Sequence, residues 1–176
     1  MTQKLKELTR ENHKKAERSF LAKKLVKGME PEEYYDYLYN QFLIYQDLEN
    51  LVNLPDVEHV KRAELMKEDL KELEDLYGFK KAPSRVCPVV KIYFEHLLTL
   101  EQEELLAHVY VRHFGDMSGG QIIKRRVPGK GKMYEFDNVE LLKDSIRRML
   151  HDDMAEEANR CFEFAMQLFS ELENKI

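Results

Sequence analysis

Four polar residues near the amino terminus have the spacing of one helix face. They follow one another at intervals of four, three and four positions: Lys6, Arg10, His13 and Glu17. Glu17 can accept the proton of one His13 ring nitrogen and leave the other nitrogen as a basic metal ligand. Lys6 and Arg10 precede this histidine on the same face, where they can meet carboxylates of a bound ligand. A solvated charged stripe explains the pattern equally simply, so the spacing alone does not establish a metal site.

A second unusual segment places three glycines inside a strongly helical sequence. Gly115, Gly119 and Gly120 lie between Leu105–Tyr110 and Ile122–Lys124. Each interior glycine costs a helix about 1 kcal/mol relative to alanine, so we expect a weakened and kinked helix. Without Cβ atoms, the backbone there can approach a flat ligand or another helix closely. Walker and dinucleotide-binding motifs are absent, which excludes a phosphate loop.

Other common site chemistries find no support in the sequence. Of the six histidines only His59, with Asp56, has an acid three residues before it, which argues against a di-iron carboxylate site. No Gly-x-Ser-x-Gly motif of a serine hydrolase occurs. Cys87 and Cys161 have no zinc or covalent-haem spacing, so we expect buried thiols in a reducing compartment.

Composition indicates the elements that must position these groups. The chain has 176 residues and a formal net charge of −5, which fits one domain over residues 1–176 and argues against a general nucleic-acid binder. Strand-forming residues are scarce, so the predicted fold class is all-α. No apolar run could span a bilayer, and the start lacks a signal peptide. We therefore expect a soluble cytoplasmic protein without a membrane anchor.

Apolar periodicity and glycine or proline positions divide the chain into helices. The first is predicted to end at Gly28, and the second to begin at Pro31 with acids in its first turn. The last segment is expected to hold one or two helices, with a break near Leu150–Asp152. The predicted helical ranges are 2–27, 31–52, 57–76, 89–99, 101–126 and 138–173.

Two segments resemble a known family. Leu5–Glu17 resembles the proximal helix of haem oxygenases, and Ala107–Gln121 resembles their distal-helix signature. The resemblance continues in order from about Leu5 to Leu172. It implies a single-domain helical bundle that holds haem b between the proximal helix and a kinked, glycine-containing distal helix. It also implies that haem is both cofactor and substrate, cleaved with O₂ and an external reductant to biliverdin, CO and ferrous iron.

The resemblance assigns roles to individual residues. His13 would be the axial iron ligand, oriented by Glu17. The three distal glycines would let the distal helix lie against haem, and Asp116 would hold a water network that includes Tyr45 and Arg112. Positions that match contacts to the haem propionates are Lys6, Arg10, Tyr110, Lys143 and Arg147. Aromatic positions of the last helix, which core packing explains equally well, are Phe162 and Phe169.

Three residues depart from the family pattern. His113 and Phe42 replace usual tyrosines, and Ala165 stands where many members place an asparagine. These changes predict a rewired distal water network. They remove neither the axial ligand nor Asp116.

Reducing electrons must come from another protein, because the chain has no flavin or nicotinamide motif. A basic cluster follows the distal signature, and an acidic ferredoxin or flavodoxin could dock there by electrostatic steering. A solvated loop explains the cluster equally well. Its members are Lys124, Arg125, Arg126, Lys130 and Lys132.

The alternative overall function is a haem carrier or sensor without turnover. The resemblance also implies that Lys6, Arg10, Lys143 and Arg147 fix the rotation of haem, which favours cleavage at the usual α position.

Overall fold

Helices account for the architecture of the chain. The structure, a computed structural model, describes residues 2–174, and no strand occurs within that range. Short 3-10 turns occupy Glu58–Val60, Lys132–Tyr134 and Asp152–Met154. The α-helices of the described range are α1 (Thr2–Leu8), α2 (Arg10–Glu17), α3 (Phe20–Lys27), α4 (Pro31–Leu51), α5 (Ala63–Tyr77), α6 (Pro88–Leu97), α7 (Gln102–Lys124), α8 (Val139–Arg147) and α9 (Ala155–Glu173). The all-α prediction is confirmed.

The amino-terminal segment differs from the single helix predicted for residues 2–27. The buried Thr9 hydroxyl donates to the carbonyl of Leu5 at 3.0 Å, a local bond that bends helices. The backbone N–H of His13 still donates to Thr9, so the helical path bends there without ending. Ser19 then caps a new helix by accepting from the N–H of Ala22 at 3.2 Å. Lys6 therefore lies on α1, before the bend, and His13 on α2.

The start of α5 also differs from the prediction, because its cap comes from another helix. The buried Glu49 carboxylate of α4 accepts from the N–H groups of Arg62 at 2.7 Å and Ala63 at 2.9 Å. This caps the helix at its first turn and leaves Glu58–Val60 as a 3-10 turn. At its other end, α5 ends at Tyr77, one residue past the predicted range, and is followed by Gly78 in the left-handed conformation.

Helix α7 runs unbroken through its three glycines. A capping box between Glu101 and Glu104 starts it, and it ends at Lys124. The loop that follows is fixed to α5, because the Asp69 carboxylate accepts from the N–H groups of Lys132 and Met133, both at 2.9 Å. This anchoring holds the 3-10 turn Lys132–Tyr134 against α7.

The last helix is in contact with several of the others. Helix α9 packs against α2, α3, α6 and α7, which brings the amino-terminal helices and the glycine-rich helix onto one support. The predicted break near residue 150 is confirmed, since α8 ends at Arg147 and α9 begins at Ala155. One hydrophobic cluster contains residues of α1 and of every helix from α3 to α9. Within the described range, no helix is both long and apolar enough to cross a bilayer. Cys87 and Cys161 are buried free thiols, as expected.

Candidate haem site

The proximal side of the candidate site is the outer face of α2. The His13 side chain is 56% exposed, and its Nε2 atom lies 3.0 Å from the Glu17 carboxylate. The His13 ring centroid is 5.7 Å from that of Phe162 on α9. Asn12 ties the two helices together by donating to the Asn159 side chain at 3.2 Å. The predicted ligand is thus accessible, and the predicted acid holds one of its nitrogens.

The three glycines of α7 divide into two groups. A Cβ atom built on Gly115 or Gly119 would meet no atom of the described residues within 4 Å beyond its own stretch of helix, so this part of the helix borders open space. A Cβ atom on Gly120 would lie 2.8 Å from the Tyr134 ring, so this glycine allows the turn Lys132–Tyr134 to pack closely. Gly115 and Gly119 therefore fit the approach of a flat ligand. Gly120 instead borders the Tyr134 side chain.

Asp116, beside the open glycines, has a defined partner. The Tyr45 hydroxyl of α4 donates to its Oδ2 atom at 2.6 Å. Burial raises the pKa of Asp116 to about 6, although nearby His113, the Tyr45 hydrogen bond and the Arg112 charge act in the lowering direction. This carboxyl group therefore changes charge close to neutral pH.

Arg112 does not form the direct pair with Asp116 that their spacing allows. Its Nε atom donates to the Tyr93 hydroxyl and its Nη1 atom to Gln41, both at 3.1 Å. Its guanidinium lies 5.7 Å from the centre of the Tyr45 ring. The remaining Nη2 atom is buried without a partner among the described residues. An unpaired buried donor beside Asp116 suits a bound water, as a distal water network requires.

The His113 departure has a structural basis. His113 is fully buried, and its Nε2 atom lies 2.8 Å from the Glu49 carboxylate that caps α5. Its ring centroid is 5.2 Å from that of Tyr45. His113 thus links the distal residues to the α4–α5 connection. Phe42, the second departure, is buried and packs edge-on to Tyr39 at 6.1 Å.

Two of the predicted propionate-binding cations come together at Phe114. Lys143 Nζ and Arg147 Cζ of α8 lie 5.9 and 5.5 Å from the centre of its ring, and Lys143 also donates to the Ser118 hydroxyl at 2.9 Å. The Tyr110 ring contacts Phe114 at 5.1 Å. Burial raises the pKa of Tyr110, while a hydrogen bond with Thr9 and the Arg147 charge lower it. Tyr110 thus lies where α7, α8 and the bend at Thr9 meet.

The other predicted residues occupy more open or purely packing positions. Lys6 and Arg10 are exposed, as ligand-binding cations on a surface must be. Phe169 is half-buried 6.3 Å from Tyr37, which fits core packing. Ala165, the third departure, is half-buried on α9 and offers no polar group.

The basic cluster is partly neutralised. Lys124 donates to Glu135 at 2.9 Å, and Lys132 lies 3.6 Å from Glu68. Arg125, Arg126 and Lys130 are exposed and have no acidic partner in the described range. Three of the five predicted cations thus remain available to a partner.

A cavity of about 690 Å³ lies elsewhere, between the α5 start and the end of α7. Arg62, whose guanidinium stacks 3.9 Å from the Phe136 ring centre, lines it together with Gln121 and Lys124. None of the predicted haem-binding residues lines this cavity. It is therefore separate from the candidate haem site.

Sequence reasoning missed several polar partners of the distal residues. They are Gln41, Glu49 and Tyr93, each supplied by a different stretch of chain from the residue it contacts. Gln41 alone carried a local signal, since it lies one turn before Tyr45 on α4. The other two became visible only when the helices were brought together.

Comparisons with known proteins agree with this arrangement. The sequence model described as "Heme oxygenase" matches residues 1–171. "Heme oxygenase 2" of Macaca fascicularis is 30% identical over 203 residues, covering 96% of this chain and 64% of that protein. The chain thus spans slightly less than two thirds of that relative's length.

Solved structures share the fold closely. Heme oxygenase-1 from the cyanobacterium Synechocystis sp. PCC6803, in complex with heme, has a TM-score of 0.81 at 25% identity, over 96% of this chain and 90% of that one. Heme oxygenase from Leptospira interrogans has a TM-score of 0.80 at 26% identity, over 95% of this chain and 97% of that one. With a family match over almost its whole length and a site built as described above, the chain belongs to the heme oxygenase family.

Proposed function

We propose that this chain is an active haem oxygenase that cleaves haem b to biliverdin, CO and ferrous iron. The observation that carries the proposal is the pairing of an accessible His13 with open backbone at Gly115 and Gly119 beside the Tyr45–Asp116 pair. A flat, iron-containing substrate needs all three features. A carrier needs a ligand histidine, but it does not need a distal carboxylate held by a tyrosine and with a raised pKa of about 6.

His13 would supply the nitrogen ligand to iron. Glu17, 3.0 Å from one ring nitrogen, fixes the ring and increases the basicity of the other nitrogen. When bound, haem iron supplies O₂ binding and activation, and the porphyrin ring is what is oxidised. The exposure of His13 allows the substrate to enter and the product to leave at this face.

On the distal side, the Asp116 carboxylate would position the water that delivers protons. Its hydrogen bond from Tyr45 fixes the orientation of the carboxyl group, and its pKa of about 6 leaves it mainly ionised at neutral pH. An ionised carboxylate accepts hydrogen bonds from water and holds it without acting as a strong acid. The unpaired Nη2 atom of Arg112 offers such water a second partner.

Cations on two sides would hold the propionates of haem. Lys143 and Arg147 act together from α8, with Tyr110 beside them, while Lys6 and Arg10 lie on the amino-terminal helices. Because these contacts fix the rotation of haem in its site, we propose cleavage at the α-meso position. Chromatographic identification of the biliverdin isomer tests this point, and a predominance of the β or δ isomer would contradict it.

Electrons would come from an acidic ferredoxin or flavodoxin. Arg125, Arg126 and Lys130 supply the exposed positive charge for its docking beyond the end of α7. The rate of ferredoxin-supported reduction should therefore fall several-fold between low salt and about 0.5 M salt, where the Debye length is only a few ångströms. A rate insensitive to salt would rule out electrostatic docking. A cytoplasmic location, part of the same proposal, suits the two unpaired thiols.

The deciding experiment is an optical titration with hemin, followed by ascorbate in air with catalase present. We expect saturable one-to-one binding, then loss of the haem band and the appearance of a biliverdin spectrum. Haem that binds and survives reduction would indicate a carrier or sensor. Failure to bind haem would refute the proposal altogether.

A further inference from the structure

A cluster of metal-binding side chains lies about two helical turns before the open glycines along α7. It comprises His96 of α6, His108 of α7 and Glu157 of α9. Their donor atoms all lie within 4.8 Å of one another. None of the three has a part in the proposed haem chemistry, and each comes from a different helix.

Both imidazoles of the cluster contact the same carboxylate oxygen. His96 Nε2 and His108 Nε2 lie 2.5 and 2.8 Å from the same oxygen, Oε1 of Glu157. A tetrahedral ion with bonds of about 2.05 Å separates its ligand atoms by roughly 3.3 Å. The Glu157 oxygen would therefore have to draw back by less than about an ångström from each imidazole, and the two imidazole nitrogens, which lie within 4.8 Å of each other, would have to settle at that separation.

Burial and access both suit a metal ion. The His108 side chain is fully buried, whereas His96 and Glu157 are 19% and 12% exposed. An ion can thus enter past His96, and water can complete its coordination there. The second nitrogen of His108 lies 2.5 Å from the Tyr93 hydroxyl, the kind of outer contact that fixes a ligating imidazole.

We propose that His96, His108 and Glu157 bind a divalent transition-metal ion such as Zn²⁺. Two imidazoles and one carboxylate are ligands that Zn²⁺ accepts readily, and three protein ligands leave one coordination position to solvent. The ion would join α6, α7 and α9 at one point. Since His108 precedes Asp116 by eight residues, the site lies roughly 12 Å along α7 from the distal carboxylate.

The test is a Co²⁺ titration of the haem-free protein, followed by displacement with Zn²⁺. We expect visible d–d bands that saturate at one equivalent of Co²⁺ and disappear on addition of Zn²⁺. His96→Gln and Glu157→Gln should each weaken Co²⁺ binding at least about tenfold. The matched control is His59→Gln, an exposed histidine outside the cluster, which should bind Co²⁺ as the unsubstituted chain does.

Two further measurements separate loss of the metal site from misfolding and from binding elsewhere. Thermal unfolding with a chelator present should show that the variants fold, and Zn²⁺ should raise the midpoint of the unsubstituted chain but not that of His96→Gln. His13→Ala should retain the Co²⁺ bands, although His13 and Glu17 form another surface pair able to bind metal. The proposal fails if no saturable band appears, if both cluster variants bind normally, or if His13→Ala abolishes binding.

Discussion

Two regions along α7 differ in how completely their surroundings are built. In the open region, Gly115 and Gly119 border open space among the described residues, and the His13 ring of α2 is more than half exposed. In the buried region, His108 and His113 are fully buried and each meets a carboxylate from another helix. The surface that would receive haem is therefore open, whereas these two histidines are already held in place, although His113 Nδ1 and Arg112 Nη2 have no partner among the described residues. Access at the surface, with supporting side chains held by other helices, is what a preorganised site requires.

The most severe test of this comparison is His13→Ala. Loss of the iron ligand should reduce haem turnover at least about 100-fold, since even the outer contacts of metal ligands are worth 10- to 100-fold. Because His13 is exposed, the free energy of unfolding should change by less than about 0.5 kcal/mol. The hemin spectrum, turnover and thermal unfolding measure these effects, with His59→Ala as the surface control. Strong destabilisation would show that His13 belongs to the buried region instead.

Asp116→Asn tests the boundary between the open region and the buried region, since Asp116 lies beside the open glycines and is held by Tyr45. Turnover should fall about 100-fold, the usual order for a lost proton-transfer group. In the unsubstituted chain, activity should decline as the pH falls through about 6, because protonation turns one carboxyl oxygen into a donor and makes the group a weaker acceptor for water. This inflection should be absent from the pH profile of Asp116→Asn.

Tyr45→Phe refines that prediction. The Tyr45 hydrogen bond lowers the pKa of Asp116, so its removal should move the inflection to higher pH. A shift to lower pH, or none, would mean that another group controls the profile.

The glycines offer a matched pair with opposite expectations. Gly119→Ala should reduce haem affinity or turnover about tenfold, while gaining up to about 1 kcal/mol of helix stability. Gly120→Ala should instead destabilise the fold by about 1–2 kcal/mol, because its Cβ would lie 2.8 Å from the Tyr134 ring and overpacking outweighs helix propensity. Denaturant unfolding and hemin titration of both variants separate the effects. Similar behaviour of the two would refute the division of the glycines.

The smallest effects are expected at the cations of α8. Arg147→Ala should weaken haem binding less than about tenfold, because an exposed charge contributes little and Lys143 remains nearby. It should, however, increase the share of biliverdin isomers other than α. Arg148→Ala, the adjacent exposed position, is the control. An unchanged isomer distribution would argue against the role of Arg147 in fixing haem rotation.

How much of this was predictable depends on where each partner lies in the chain. His13 and Glu17, or Lys143 and Arg147, lie one helical turn apart, so their pairing follows from spacing and family resemblance. Glu49 could not be recognised as the cap of α5 and partner of His113, because its neighbours come from two other helices.

The local features that the sequence did not predict have the same origin. The bend at Thr9 arises from one buried hydroxyl, and the close contact of Gly120 with Tyr134 arises from a loop anchored by Asp69. Periodicity along one helix contains no information about contacts that only tertiary packing creates. The helical class was predictable, because it depends on composition and on patterns within each segment.

The Tyr93 hydroxyl separates the distal residues from changes at His108, which lies one turn before Arg112 on α7. It has one proton and three neighbours: Arg112 Nε, which donates to it, His108 Nδ1 and Cys161 Sγ. If His108 Nδ1 lacks a proton, Tyr93 donates to it; if that nitrogen carries one, the hydroxyl accepts and turns its own proton toward Cys161. In both states the oxygen still accepts from Arg112. A change of tautomer at His108 is thus absorbed by rotation of one hydroxyl, and Arg112 keeps its place beside Asp116.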